Sequence, residues 1–435
     1  MRLMLFILLL GVLLGCEYES PVYDAKFQLS LGSKLHQQGN FRGAIVAYSD
    51  AIEFDPDLLP AYLNRGGAYF DIGEYEKAIQ DYDHALKFTK DDPDLYCARG
   101  QALYRTHEFD KAIDDFDEAI RLDSNNSVAF YSRGSARKEK GELGLALEDY
   151  NKAILLDPDS NADSAFSYAD RATTLNILER NSEAIEDWTK TIELNPNFER
   201  AYSRRGQCFY AMGNHTEALQ DFTKAIELNP SDPDAFSSRG IYWSKVEQFD
   251  KSILDYSEAI RLNPTNASTY LLRGNTLELI NEKDKALADY NQAIKLDPTS
   301  ASAFHDRAAL WTARRDFAKA VDDYSQAVVL ESKYIATYNN LAWILATCPD
   351  EEIRDGKRAL ELIEKSIVLG NNRTTIYQLD TMAVAYAECG DFEEAIKYQE
   401  LTLKFSAMDE ENQRIYQDRL TLYRNGKPYH EPSTK

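Results

Sequence analysis

Glycine and proline are scarce in this chain of 435 residues, at 20 and 13, which excludes a collagen-like or Pro/Gly-rich disordered polymer. Cysteine is rarer still. Of the five, none forms a CxxC pair and the spacings are wide, so neither a zinc site nor a disulfide framework is indicated. Positive charge is also in deficit, with 49 Lys and Arg against 72 Asp and Glu and a net charge of −23. A field of that sign repels phosphate backbones, so nucleic acid is not expected as a partner. Six histidines (His36, His84, His107, His215, His305 and His430) lie far apart, none in HxxxH or HExxH spacing. GxxxxGKS/T, GxGxxG and GxSxG motifs are absent too. Acidic pairs such as Asp114-Asp115 and Asp322-Asp323 recur at a fixed interval, as solvated helix faces do. No cofactor and no enzymatic activity are expected.

No apolar run approaches the roughly 20 residues that span a bilayer. The longest, Leu3 to Leu14, follows Arg2 and runs into Leu13-Leu14-Gly15-Cys16. That length suits the apolar region of a signal peptide. The small residue before Cys16 resembles the bacterial lipobox, in which the cysteine is lipidated and becomes the mature N-terminus. We therefore expect a signal peptide over 1–15, a lipidated Cys16 and a tether over 16–26. The protein is then a bacterial membrane lipoprotein whose body lies in the periplasm or faces the exterior. Each buried methylene of an acyl chain contributes about 0.8 kcal/mol, so several chains on Cys16 give a stable anchor.

What the sequence has in abundance is repetition. Small residues recur at Gly32, Gly66, Gly100, Gly134, Ala172, Gly206, Gly240, Gly274, Ala308, Ala342 and Ala383, mostly 34 apart. Twelve residues after most of them comes another small one (Ala44, Ala78, Ala112, Ala146, Ala184, Ala218, Ser252, Ala286, Ala320), and four later an aromatic ring (Tyr48, Tyr82, Phe116, Tyr150, Trp188, Phe222, Tyr256, Tyr290, Tyr324). Tyr62, Gly66 and Tyr69 share one helix face, as do Ala78, Tyr82 and Ala85, so each unit reads as two helices. Gly39, Gly73, Gly141, Gly213 and Gly390 separate them. Asp-Pro or Asn-Pro pairs such as Asp55-Pro56 and Asn229-Pro230 end the second helix. A lone hairpin cannot bury its apolar face, so the units must stack.

This 34-residue pattern resembles the tetratricopeptide repeat (TPR) from about Phe27 to Phe405. The resemblance implies an all-α solenoid of about eleven helix-turn-helix repeats over 27–405, then a capping helix over 406–425 that buries Ile415, Leu420 and Leu422. A flexible tail is expected over 426–435. Extra residues at Pro158–Ser164 and Pro349–Lys357 are expected to form loops. Cys97, Cys208, Cys348 and Cys389 are expected to be buried thiols. Cys348 and Cys389 hold equivalent places in successive repeats, about 10 Å apart, too far for a disulfide.

The repeats also align with one another. Where the family carries a large apolar residue before the small marker, eight consecutive copies carry Arg65, Arg99, Arg133, Arg171, Arg205, Arg239, Arg273 and Arg307. The same eight carry Asp81, Asp115, Asp149, Asp187, Asp221, Asp255, Asp289 and Asp323 before the aromatic marker. The flanking copies carry neither charge. Each arginine is therefore expected to pair with the aspartate of its own repeat, in a bidentate, half-buried contact. The alternative is two separately solvated charges copied by duplication.

By analogy with the family, a concave groove lined by the first helices takes an extended protein or peptide segment. Its candidate contacts are Phe70, Gln101, Tyr104, Tyr131, Asn176, Gln207, Tyr210, Asn275, His305 and Asn339, with amides for the backbone and rings for the side chains. The lysine- and arginine-rich groove of carboxylate-gripping family members is missing. The resemblance thus implies a scaffold or adaptor of the cell envelope. Narrower alternatives are an assembly factor for a pilus, secretion or outer-membrane complex, and an accessory module presenting substrates to a separate enzyme.

Overall fold

The computed structural model describes residues 24–158, 161–331, 334–371, 373–404 and 409–433. The expected signal peptide and Cys16 lie outside these residues, as do most of the tether and the end of the repeat region at Phe405. The described residues form 23 helices and no strands. They divide into two compact units, one ending at Leu228 and the other beginning at Asn229. The first holds six antiparallel hairpins, from Ala25–Gln37 packed on Phe41–Phe54 to Glu199–Ala211 packed on His215–Leu228. The second holds five, from Pro233–Lys245 with Phe249–Leu262 to Ile376–Glu388 with Phe392–Thr402, followed by a single helix, Glu410–Arg424. Within each unit every hairpin packs on the next, and this stacking is the solenoid arrangement.

The marker residues explain how each hairpin closes. Gly66 and Ala78 are buried, and Gly66 faces Tyr82, which is 5% exposed. A methyl group added at Gly66 would stand 2.6 Å from the Tyr82 ring, closer than two carbons can approach. Glycine therefore sets the helix separation there. Each row of rings and small residues forms a chain of local clusters, the largest being in the last three hairpins around Leu341, Ile344, Ile363 and Val384.

The turn between the helices of a hairpin needs one residue in the left-handed region. Gly39, Gly73, Gly141, Gly213 and Gly390 supply it at φ between 74° and 81°. His107, Glu179, Glu247, Asn281 and Arg315 occupy the equivalent places at φ between 58° and 63°, where an L-residue costs about 1–2 kcal/mol. The geometry is imposed by the closing bond of the turn, such as Asn40 N–H to Leu35 O at 2.9 Å, and not by the residue type.

Three expectations are corrected. The insertion at Pro158–Ser164 is not mainly loop, because the next helix starts at Asn161 and runs 17 residues to Ile177, absorbing the added length as an extra turn. Cys97, Cys208 and Cys348 are buried, but Cys389 is exposed, since it caps the end of its helix. The last helix buries Tyr416, Arg419, Leu420 and Tyr423, leaving Leu422 half-buried and Ile415 40% exposed. That face wins because Arg419 there meets the buried carboxylate of Asp380. The second insertion is a loop, held by Arg354 through Glu388 Oε1 at 2.9 Å and the Cys348 carbonyl at 2.9 Å.

Candidate functional site

In the structure, all eight arginines meet the aspartate sixteen residues on, in the second helix of the same hairpin. Arg65 donates Nε–H to Asp81 Oδ2 at 2.8 Å and Nη2–H to Asp81 Oδ1 at 2.7 Å. Arg171 with Asp187 (2.7 and 2.6 Å) and Arg307 with Asp323 (2.7 and 2.7 Å) repeat the same fork. So do Arg99–Asp115, Arg133–Asp149, Arg205–Asp221, Arg239–Asp255 and Arg273–Asp289. The carboxylates are buried and the guanidinium groups half-buried. Each guanidinium also lies over a ring three residues earlier, 5.6 Å from Tyr62 and 5.5 Å from Tyr168, for example. The side-chain bond to Asp81 raises the pKa of Arg65 against the opposing effect of burial.

Two features escaped the sequence reading. In seven copies the remaining Nη1 reaches the second helix of the preceding hairpin: Arg65 to Ser49 (3.1 Å), Arg99 to Asp83 (2.6 Å), Arg205 to Thr189 (3.0 Å), Arg307 to Asn291 (2.7 Å), and likewise Arg133, Arg171 and Arg273. The recurring Ser, Thr, Asn or Asp one residue beyond the aromatic marker was the available signal. The second feature is a set of side-chain bonds between neighbouring first helices, 32 residues apart. Cys208 Sγ–Asn176 Oδ1 (3.1 Å), His305 Nδ1–Thr337 Oγ1 (2.9 Å) and Lys138 Nζ–Asp170 Oδ1 (2.7 Å) belong to it. These chemistries belong to architecture.

The ten candidate groove residues are all half-buried, and most have structural partners. Phe70 packs edge-on against Tyr75, Tyr104 is tilted against Phe109, and Tyr210 against His215. Tyr131 donates its hydroxyl to Asp170 at 2.7 Å, while Gln207 accepts from Arg204 at 3.1 Å. Asn275 accepts from the Tyr290 hydroxyl at 2.8 Å, and burial lowers the pKa of His305. Gln101 sits half-buried among them. They are spread over both units and do not form one cluster.

Asn339 differs. It lines a cavity of about 870 Å³ in the second unit, formed by the first helices Ala301–Ala313, Ile335–Thr347 and Ile376–Glu388 with the final helix Glu410–Arg424. The walls combine rings (Tyr324, Trp343, Tyr416) with amides (Asn340, Gln378). Three apolar side chains at the same cavity are exposed: Ile335 at 36%, Tyr377 at 69% and Ile415 at 40%. Among the described residues no group donates to the buried Oδ1 of Asn339, an expense of about 1–3 kcal/mol unless a ligand does so. Apolar walls with a few placed polar groups suit an uncharged segment carrying one bulky side chain. The sequence could not show this, because the helix supplying Tyr416 and Ile415 lies outside the repeat register.

Next to this cavity, on helix Ala301–Ala313, burial pushes the Asp306 carboxyl from 3.8 up to about 6, with Glu278 adding repulsion and Asn275 a partly offsetting hydrogen bond. The folded chain thus retains a proton there that the unfolded chain releases. This group's stabilisation is fully present below about pH 4 and is lost as pH rises through 6. Asp306→Asn should therefore raise Tm at pH 7.5 by about 4 °C or more and change it little at pH 4. Equal shifts in thermal unfolding at both pH values would contradict this.

Comparison with known families agrees with the repeat geometry. Profiles described as TPR repeat match residues 32–73 and 66–106, and profiles described as tetratricopeptide repeat match 93–126, 128–160, 199–232 and 267–300. No curated protein matches the chain. Among solved structures, a TPR protein with an unusual peptide-binding site, YrrB, is 26% identical at a TM-score of 0.37, covering 42% of this chain and 92% of its own. Yeast Tom70 is 18% identical at 0.44, covering 92% and 96%. Pseudomonas aeruginosa PilF is 20% identical at 0.44, covering 50% and 97%. Matched profiles and hairpins closed by a ring on a small residue, mostly 34 residues apart, describe the same object, and the chain is built of tetratricopeptide repeats.

Proposed function

We propose that this chain is a protein-interaction scaffold of a bacterial cell envelope, holding a partner segment on the first helices of its last hairpins. The observation that carries the reading is the cavity at Asn339. An unpartnered amide oxygen stands beside three exposed apolar side chains, as expected where a peptide donates an N–H and buries a side chain. The envelope address is supported by the sequence alone, through the apolar run Leu3–Leu14 and Cys16. Among the described residues no helix is long and apolar enough to cross a membrane.

A photoreactive residue at Tyr377, on the cavity rim, should crosslink one discrete protein in intact cells, and Asn339→Ala should weaken that product. The same probe at Val329, 78% exposed on a second helix, should not. Equal labelling from both positions would remove the cavity from consideration. Fatty-acid labelling that persists in Cys16→Ala would remove the anchor.

A further inference from the structure

The segment after the last helix, expected to be a frayed tail, packs back on the second unit over residues 426–433. Gly426 turns the chain at φ 66°. The Tyr429 ring lies 4.5 Å from the Arg419 guanidinium and 6.3 Å from the Trp343 ring. His430 Nε2 meets Glu388 Oε2 at 2.7 Å. The Glu431 N–H donates to the Thr347 carbonyl at 2.7 Å, and its carboxylate lies 3.4 Å from Trp343 Nε1 and 3.6 Å from Arg315 Nη1. Arg315 also donates to the Pro432 carbonyl.

Two observations separate this segment from the fold it lies on. None of residues 426–433 is buried, whereas the preceding helix buries Tyr416, Leu420 and Tyr423 to 5% exposure or less. The tail therefore lies on the surface of the unit, with Tyr429 packed against the edge of its core. Arg315, moreover, sits at a left-handed turn that glycine fills in five hairpins and His107, Glu179, Glu247 and Asn281 fill in four, and of these residues it is the one whose side chain reaches the tail.

We propose that Arg315, Trp343, Thr347, Glu388 and Arg419 form a peptide-recognition face for an aromatic–x–acidic–proline sequence, occupied in cis by Tyr429–Pro432 and open to a partner chain with the same pattern. The face packs a ring against a cation that also lies on the neighbouring indole, accepts one backbone N–H, and reads an acidic side chain with Arg315. It deepens the scaffold reading by naming a ligand; the face shares Trp343 and Arg419 with the cavity walls, but Arg315, Thr347 and Glu388 lie outside them, so the Arg315 arm below and crosslinking at Tyr377 can fail separately. A tethered segment competes at an effective concentration of about 1 mM. A free peptide with a Kd near 100 μM should thus bind the wild-type chain about tenfold more weakly than a chain whose tail is released.

The test uses full-length protein and a fluorescent peptide of residues 426–435, read by anisotropy. Tyr429→Ala with Glu431→Lys in the chain releases the tail and should improve peptide binding about tenfold, and adding Trp343→Ala should abolish it. As a second arm, Arg315→Glu, a half-buried surface change, should bind the peptide carrying Glu431→Lys in preference to the native peptide. Equal binding by wild type and the released variant, or no reversal of preference in Arg315→Glu, would overturn the proposal.

Discussion

Asp149→Ala should be among the most damaging single changes in the chain, at about 3–5 kcal/mol. Its carboxylate is 2% exposed and accepts from Arg133 Nε at 3.0 Å, Arg133 Nη2 at 2.6 Å and Arg137 Nη1 at 2.8 Å. Both guanidinium groups are about 15–17% exposed, so truncating the acid strips Arg137 of its carboxylate and leaves Arg133 with only its outer contact to Asp117, with little water to replace the loss. The cost of such a change comes mainly from the uncompensated charge and less from the lost attraction. Asp81→Ala strands only Arg65 and should cost about half as much. Stability in a repeat array is a sum of local and neighbour terms, so the loss should appear as early opening of hairpins three to five. Urea titration followed by hydrogen exchange would show it. A loss below about 1 kcal/mol, the range of surface pairs, would mean the charges are solvated after all.

Arg419→Ala should be comparably severe, but confined to the C-terminal unit. The guanidinium pairs with Asp380, which is 5% exposed, and packs 4.8 Å from Trp343 and 5.7 Å from Tyr416. Without it Asp380 keeps only Gln399 Nε2, at 3.2 Å. We expect about 3–5 kcal/mol, seen as lost amide protection across Glu410–Arg424 and in the tail while the first unit is unchanged. Arg419→Lys should not rescue, since an ammonium cannot stack as a plane on the two rings while meeting the carboxylate. Full recovery with lysine would show that charge alone mattered.

The hairpins were legible because their cause is local and repeated. A glycine that must face a ring, and a proline that must end a helix, leave marks at fixed intervals. Arg65 and Asp81 were legible for the same reason, since eight copies vary together. The third arginine contact was harder, because Ser49, Asp83 and Asn151 differ in type and only share a capacity to accept. Nothing periodic announces the final helix's buried face. Tyr416 and Arg419 were passed over for Ile415 because apolarity was the guide, and the deciding partner, Asp380, is a buried charge 39 residues away. The cavity and the bound tail likewise depend on side chains that occur once.

The direction of the arginine fork has a consequence for how such a chain can change length. Two of its prongs close on the arginine's own hairpin, and the third asks only for some hydroxyl, amide or carboxylate from the hairpin before. Excising or duplicating a 34-residue module inside the run therefore leaves every cation matched. Recombination by whole modules can resize the array without creating a buried orphan, whereas loss or gain of half a module within a repeat would part an arginine from its acid.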